Sequence, residues 1–342
     1  MSEPPPLLGE SRAFVAMLEH VSRVAPLDRP LLVIGERGTG KELIGARLHF
    51  LSRRWDRPFV KVNCAALSDD LLESELFGHE AGAFTGATRR HVGRFERADG
   101  GTLFLDEIAT ASSRVQEKIL RVVEYGEMER VGGSATLSVD VRVIAATNVD
   151  LPARAAAGTF RADLLDRLAF DVVTLPPLRA RPEDIPLLAE HFAIGMAREL
   201  GLPEFPGFAP SALEAMAGHG WPGNVRELRN AVERAVAKAP RFDRPLETVD
   251  IDPFRSPHRP RDAMAAPNAS PAAQMQEEGG SAPGPAPDPA DGYHERVRRL
   301  EVDLLTRALA ENQHHQGRAA AQLGLSYDQF RGQLRKHGMR AR

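Results

Sequence analysis

The chain has 342 residues, 42% of them hydrophobic, and a formal net charge of −3. That is room for about two or three domains with buried cores, and too little net charge for whole-chain electrostatics to point to nucleic acid, so any basic surface is local. One cysteine, Cys64, excludes an internal disulfide and fits a reducing compartment. The opening MSEPPPLLGE has no basic segment followed by an apolar run, and no stretch long and apolar enough for a membrane span occurs, so the reading is of a cytoplasmic chain without membrane insertion.

In chain order, PLLVIG (30–35), PFVKVNC (58–64), GTLFLDE (101–107), VRVIAATN (141–148) and DVVTLPPL (171–178) are short, nearly continuous apolar runs. Strands buried on both faces read this way. Helical patterns such as GKELIGARLHFLS lie between them, which predicts an α/β core with a covered parallel sheet over residues 1–178. The pattern then turns purely helical, and 179–240 is assigned to a small α-helical subdomain. Residues 256–292 are dominated by Pro, Ala, Gly and Ser with almost no large apolar side chains, and 241–292 is assigned to a linker. The end, 293–342, returns to helical periodicity with a local basic excess of roughly +5.

The first motif with chemistry is GERGTGKE (35–42), placed after a strand and opening a helix. It has the core of a phosphate loop: Gly35, Glu36, Arg37, Gly38, Thr39 and Gly40 curl backbone amides around phosphate oxygens, and Lys41 supplies a mobile positive charge. ATP with Mg²⁺ is the implied ligand. Glu42 stands where serine or threonine usually binds the metal, and the sequence leaves open whether Glu42 or water takes that place. Asp106 and Glu107 close an apolar strand, where α/β folds put their ligands. Asp106 can hold Mg²⁺ directly or through water, and Glu107 can act as base toward the attacking water, typically worth ~10²–10⁴-fold. Thr147 and Asn148 end another strand and are placed to sense the γ-phosphate or orient water; alone, Asn148 reads as a cap or turn residue. Arg161 and Arg167 are either surface charges or groups that reach a neighbouring subunit's γ-phosphate, a device worth ~10³–10⁵ in rate in other NTPases. In GWPGNVRELRN, Arg226 can bridge the helical subdomain to the nucleotide, and Trp221 and Pro222 read as packing residues.

Two further stretches suggest partners. In GHEAGAFTGATRR, Phe84 and Thr85 stand between Gly82–Ala83 and Gly86–Ala87. This is either an aromatic anchor on a hinged tip or an Ω-loop with its ring packed down. GRAAAQLGLSYDQFRGQLRKHGM (317–339) reads as a helix-turn-helix for double-stranded DNA, with Ser326 capping the second helix. Phe330 and Leu334 face inward, and Tyr327, Asp328, Gln329, Arg331, Arg335 and Lys336 lie on the outer face with Ser326 at its start.

Together these residues resemble the AAA+ ATPases of the bacterial enhancer-binding type, which activate RNA polymerase carrying sigma-54. The similarity runs from about residue 6 to 240. GAFTGA (82–87), with ELFGHE before it and GRFERADGGTLFLDE after it, is the most specific element. The resemblance implies an AAA+ core with a helical lid, ATP hydrolysis by a homo-hexameric ring with Arg161 and Arg167 acting in trans, and contact of residues 82–87 with the sigma-54 holoenzyme. It also implies enhancer DNA as ligand, a phosphate loop that ends normally in Glu42, and a pairing of Asn63 with Glu107 that switches with nucleotide state. The arrangement, with about 30 residues before the ATPase, narrows to the phage-shock branch of that family. Its activator is held in check by a separate negative regulator, and Trp55 falls where that regulator binds; composition alone leaves Trp55 open between exposed and core-packed. The rival readings are another AAA+ remodelling ATPase and a DNA-binding repressor that uses ATP as an assembly ligand.

Overall fold

The structure is a computed structural model that describes residues 7–202, 204–239, 243–254, 293–312 and 315–337. Two compact units divide at Pro260. In the first, α1 (Arg12–Val24) leads to β1 (Leu31–Ile34), α2 (Lys41–Phe50), β2 (Phe59–Asn63), α3 (Asp69–Phe77), α4 (Arg94–Arg97) and β3 (Thr102–Asp106). There follow α5 (Ser113–Tyr125), β4 (Glu127–Glu129), β5 (Thr136–Ser138), β6 (Arg142–Thr147), α6 (Leu151–Ala156), α7 (Ala162–Leu168) and β7 (Val172–Thr174). The helices α8 (Asp184–Glu199), α9 (Pro210–Ala217) and α10 (Asn224–Ala237) complete it. The second unit holds α11 (Tyr293–Glu311), α12 (Gln316–Gln322) and α13 (Tyr327–Lys336).

The five apolar runs form one parallel sheet in the order β2-β3-β6-β1-β7. Side chains alternate along each strand and both faces are covered. Leu103, Leu105, Val143 and Ala145 join the cluster under α3, α5 and α7, whereas Phe104, Ile144 and Ala146 join the one under α1 and α2. Gly45 lets α2 approach, since a Cβ there would lie 2.4 Å from the Phe104 ring. Because β6 lies between β1 and β3, the chain ends that follow Ile34, Asp106 and Thr147 emerge side by side at the carboxyl edge. The short antiparallel pair β4–β5 is an element that the sequence pattern does not announce.

The helical subdomain has its own core around Trp221, Leu228, Val232 and Met216. Trp221 is fully buried and its Nε1 donates to Met216 O at 2.8 Å, the packing role expected of it. Leu246 and Val249 fall in the stretch assigned to the linker, yet both are buried in this core, and Leu246 bridges to Phe208. The packed lid therefore continues to Ile251. Residues 255–292 of the linker lie outside the described residues.

In the second unit Phe330 and Leu334 are buried with Leu305, Ala308, Ala319 and Ala320. Gly324, at φ +68, turns the chain between α12 and α13. Ser326 caps α13: its Oγ accepts from Gln329 N, and Gln329 Oε1 accepts from Ser326 N at 2.9 Å. No helix among the described residues is long and apolar enough to cross a membrane.

Candidate functional site: a phosphate loop beneath a helical lid

Gly38 and Gly40 take φ of +79° and +100°, and the loop they form between β1 and α2 presents its amides at a helix N-terminus. Lys41 opens α2 and is buried, with Nζ donating to Gly35 O at 3.0 Å and Glu36 O at 3.4 Å. Burial holds the Lys41 ammonium below the ordinary lysine pKa, and the carboxylates of Glu107 and Asp106 oppose that shift. Thr39 Oγ1 donates to Glu36 O and stiffens the loop. Glu42 lines the cleft but its Oε1 accepts from Lys61 Nζ on β2 at 2.7 Å.

Across the cleft, β3 delivers Asp106 and Glu107. Glu107 sits at φ +52, a left-handed conformation that costs a non-glycine residue about 1–2 kcal/mol. Its amide donates to Asp106 Oδ1 at 3.0 Å. With its amide oriented so that each end meets a complementary group, Asn148 donates to Glu107 Oε2 at 2.7 Å and accepts from Arg37 Nε at 3.0 Å. Asn63 is in register with Asp106 and lines the same cleft, but its Oδ1 accepts from Ala65 N at 2.9 Å. In this conformation Glu107 is thus bonded to Asn148, and Asn63 caps its own turn. Thr147 is wholly buried with its Oγ1 accepting from Val149 N at 3.2 Å, so its hydroxyl fixes the strand end.

These groups line a cleft of about 650 Å³ whose other wall is apolar, with Leu7, Leu8, Phe14, Leu188, Phe192 and Val225. Such a cavity seats a nucleoside beside its phosphates. Arg226, on α10, lines the cleft, and its backbone N–H donates to Gly38 O at 3.3 Å. Among the described residues, no cluster of three or more His, Cys, Asp or Glu is placed to hold a metal ion. Asp106 beside the phosphate loop fits Mg²⁺, which is usually held by one or two carboxylates with phosphates and water.

Arg161 and Arg167 do not reach the cleft of their own chain. Arg161, half-buried, pairs with Asp163 at 2.6 Å, and Arg167, exposed, pairs with Glu124 at 2.7 Å. The glycine-rich stretch lies elsewhere on the core. Phe84 is 48% exposed, with its ring edge-on to His79 at 4.9 Å. Thr85 is exposed, Ala87 is buried at the base, and a Cβ on Gly82 or Gly86 would meet open space. The base is tied by Arg130 to Glu80 at 2.8 Å and to Glu96 at 2.9 Å. Ala83 rests on Gly132, in the segment that joins β4 to β5. The geometry is therefore an exposed tip on a braced base. Trp55 is 52% exposed, which settles its open alternatives in favour of the surface.

On α13, Tyr327, Gln329, Arg331, Arg335 and Lys336 are exposed, and the side chain of Asp328 lies outside the described residues. Lys336 Nζ is held by Glu301 at 3.0 Å. Arg331 stands over the Tyr327 ring at 5.9 Å.

Reading by motif missed Asn224 and Arg179. Arg179 pairs with Glu36 at 2.6 Å, and Glu36 also accepts from Asn224 Nδ2 at 3.0 Å. Arg179 first and Asn224 second hold the Glu36 carboxyl down at a pKa of about 2. Sequence spacing carries no signal for contacts this distant.

The comparisons with known proteins fall on the same residues. The family described as the sigma-54 interaction domain matches residues 7–174, and the AAA+ ATPase lid domain matches residues 179–266. The Psp operon transcriptional activator of Escherichia coli (strain K12) is 57% identical over 331 residues, 97% of each chain. The transcriptional regulatory protein ZraR of Salmonella typhimurium is 52% identical over 230 residues, 67% of this chain and 52% of that one. The structure of NtrX from Brucella abortus in complex with ATP superposes with a TM-score of 0.67 at 33% identity, over 97% of this chain and 70% of that one.

Proposed function

Taking as premise that the chain belongs to the family of sigma-54-dependent transcriptional activators built on an AAA+ ATPase, we propose that it couples ATP hydrolysis in a homo-hexameric ring to the opening of promoter complexes held closed by sigma-54 polymerase. The observation that carries this reading is the separation of parts within one compact unit. A phosphate-binding cleft sits at the carboxyl edge of the sheet, and an exposed aromatic tip, Phe84 with Thr85, stands on a braced base elsewhere.

In the cleft, the amides of Gly38, Thr39 and Gly40 and the Lys41 ammonium bind the outer phosphates, and Arg226 reaches them from the lid. Mg²⁺, held by Asp106, neutralises charge on those phosphates when bound. Glu107 takes a proton from the water that attacks the γ-phosphorus, and ADP and phosphate leave. Asn148 aims Glu107 at that water. Arg161 and Arg167, which do not line their own cleft, are the groups that complete a neighbour's site, so that hydrolysis depends on assembly. Asn63 stands at the start of the segment that runs through α3 to the tip, and exchange of Glu107 between Asn148 and Asn63 moves the tip between two positions. Phe84 supplies the apolar anchor for sigma-54.

The other partners follow from the two ends of this design. α13, with Tyr327, Arg331 and Arg335 exposed, suits the major groove of enhancer DNA, and Ser326, Gln329 and Lys336 lie at its edges. The amide oxygen of Gln329 is committed to its cap, which leaves its amide hydrogens to read a base. Exposed Trp55 is the contact for a separate negative regulator acting in trans, in a phage-shock, envelope-stress response in the bacterial cytoplasm.

The test is open-complex formation by purified sigma-54 polymerase on an enhancer-bearing template, with this protein and ATP. Melted promoter is expected with the parent protein and absent with Lys41→Ala at unchanged DNA binding. Repression that survives Lys41→Ala would select the DNA-binding repressor, and ATP hydrolysis without melting would select another remodelling ATPase.

A further inference from the structure

Asn224 is the first residue of α10, on the lid, and it is wholly buried. Its side chain does not line the nucleotide cleft, yet both ends of its amide are used. Oδ1 accepts from Leu178 N at 2.8 Å, at the connection between sheet and lid. Nδ2 donates to Glu36 Oε2 and to Arg37 O, both at 3.0 Å, on the phosphate loop. The residue holds φ +53, a conformation that asparagine tolerates better than most side chains. Around it the two bodies touch backbone to backbone. A Cβ on Gly38 would lie 2.1 Å from Gly223 O, and Arg226 N donates to Gly38 O. Arg179, from the same connection, closes a fork on Glu36 at 2.6 and 2.8 Å.

We infer that Asn224 is a positioning residue for nucleotide binding: it latches the lid to the phosphate loop, so that the amides of the loop and Arg226 meet the phosphates as one preformed surface. A capping asparagine would spend its oxygen on its own helix; this one spends it on Leu178 and its two hydrogens on the loop. Both loop acceptors lie within two residues of Gly38, whose carbonyl receives the Arg226 amide. Glu36, kept ionised by Arg179, is an acceptor that attracts the amide hydrogens more strongly than a neutral group would. A ligand that needs loop and lid together gains affinity when they are already joined, because the cost of bringing them together falls outside the binding step. The latch makes no contact with the attacking water, so it acts on binding and not on the chemical step. The inference rests on ATP occupying the cleft, and it is independent of what the Phe84 tip touches.

The experiment uses the full chain with ADP and ATP as probes. Asn224→Asp keeps the acceptor for Leu178 and the tolerance of positive φ, but replaces the two donor hydrogens with a carboxylate facing Glu36. It is expected to raise the ADP Kd and the ATP KM about tenfold, with kcat changed less than twofold. Adding Glu36→Gln returns a donor to that contact and should recover at least threefold of the lost ADP affinity. Arg179→Ala, at an exposed site that does not endanger folding, should weaken ADP about threefold. Asn224→Asp with parental ADP affinity, or with kcat lowered and KM unchanged, overturns the inference. A melting temperature that falls with no recovery by Glu36→Gln, together with parental affinity in Arg179→Ala, overturns it as well. Failure of the parent chain itself to bind ADP would instead overturn the assignment of the cleft.

Discussion

Replacing Phe84 with alanine separates a partner-binding ring from a structural one. Fully burying a phenylalanine is worth about 1.5–3 kcal/mol, and Phe84 is 48% exposed, so burial accounts for roughly half of that. The edge-on contact with His79 adds about 0.5–1.5 kcal/mol. Loss of the ring should therefore cost folding about 1–3 kcal/mol, or roughly 2–12 °C of melting temperature for a body of this size. The ring of Phe95, fully buried and stacked on Phe77 at 5.4 Å, sets the other limit, since Phe→Ala in a core costs about 3–5 kcal/mol. An interface anchor, by contrast, loses at least about 2 kcal/mol of binding when truncated, near 30-fold in affinity. Phe84→Ala should then hydrolyse ATP at the parental rate at 25 °C and melt promoter at least 30-fold less at subsaturating polymerase. The assays are a steady-state ATPase, a thermal melt and permanganate footprinting of the promoter. Normal promoter melting would refute the anchor. A melting temperature lowered as far as that of Phe95→Ala, with ATPase lost, would show that the ring is a structural plug.

Gly38→Ala and Gly40→Ala should differ although both have positive φ. The first brings a Cβ to 2.1 Å from Gly223 O, whereas the second meets only Leu43 Cδ1 at 3.8 Å, so Gly38→Ala should weaken ADP binding by at least tenfold more, as measured by titration. Burial, helped by Asp106 and Glu107, pushes the Cys64 thiol up to about 12. At pH 8 its reaction with iodoacetamide should be slower than in urea-unfolded chain by a factor of at least about 10³. Because that folded pKa is raised, the associated stability is fully present below the unfolded value and is lost as pH rises from about 9 toward 12; a melting curve flat across that window would contradict it. Leu246→Ala should lower stability by about 2–3 kcal/mol, as a lid residue does and a linker residue does not, read by denaturant unfolding.

The strands were legible because both faces of the sheet are covered. β3 and β6 bury nearly every residue, and burial on two faces writes an unbroken apolar run into the chain. The phosphate loop was legible for another reason: its geometry is set by glycines and a lysine within a few positions of one another, so spacing is structure. The chemistry that spacing cannot write is the chemistry that joins distant segments. Asn148 joins Glu107 to Arg37, and Glu36 finds Asn224 across 188 positions. The lid boundary was missed because Leu246 and Val249 are single apolar residues among prolines and charges, and a burial pattern that sparse has no period to detect. Trp55 stayed open because exposure depends on what folds over a residue, and about half of this side chain stays uncovered.

The placement of Asn63 bears on how the cleft and the tip communicate. β2 ends at Asn63, a short turn follows, and α3 runs directly into the limb that carries Phe84. β3 ends at Asp106, and Glu107 starts the segment that becomes α5. α3 and α5 are joined by Glu73, buried, with Lys118 at 2.7 Å and Arg114 at 3.1 Å, so movement of one helix is opposed by the other. Against that stiffness the end groups are cheaply rearranged. Asn63 gives up one bond to Ala65 N and Glu107 one to Asn148, and each such exchange is worth about 0.5–1.5 kcal/mol net, or up to about 3 where a charged group is involved. A ligand that distinguishes the two arrangements by about 5.5 kcal/mol moves such an equilibrium from one extreme to the other. The strain at Glu107, φ +52, holds its carboxylate at the end of β3, where the chain turns toward α5; in the proposed switch, that is the point at which a change of partner is passed to the helices.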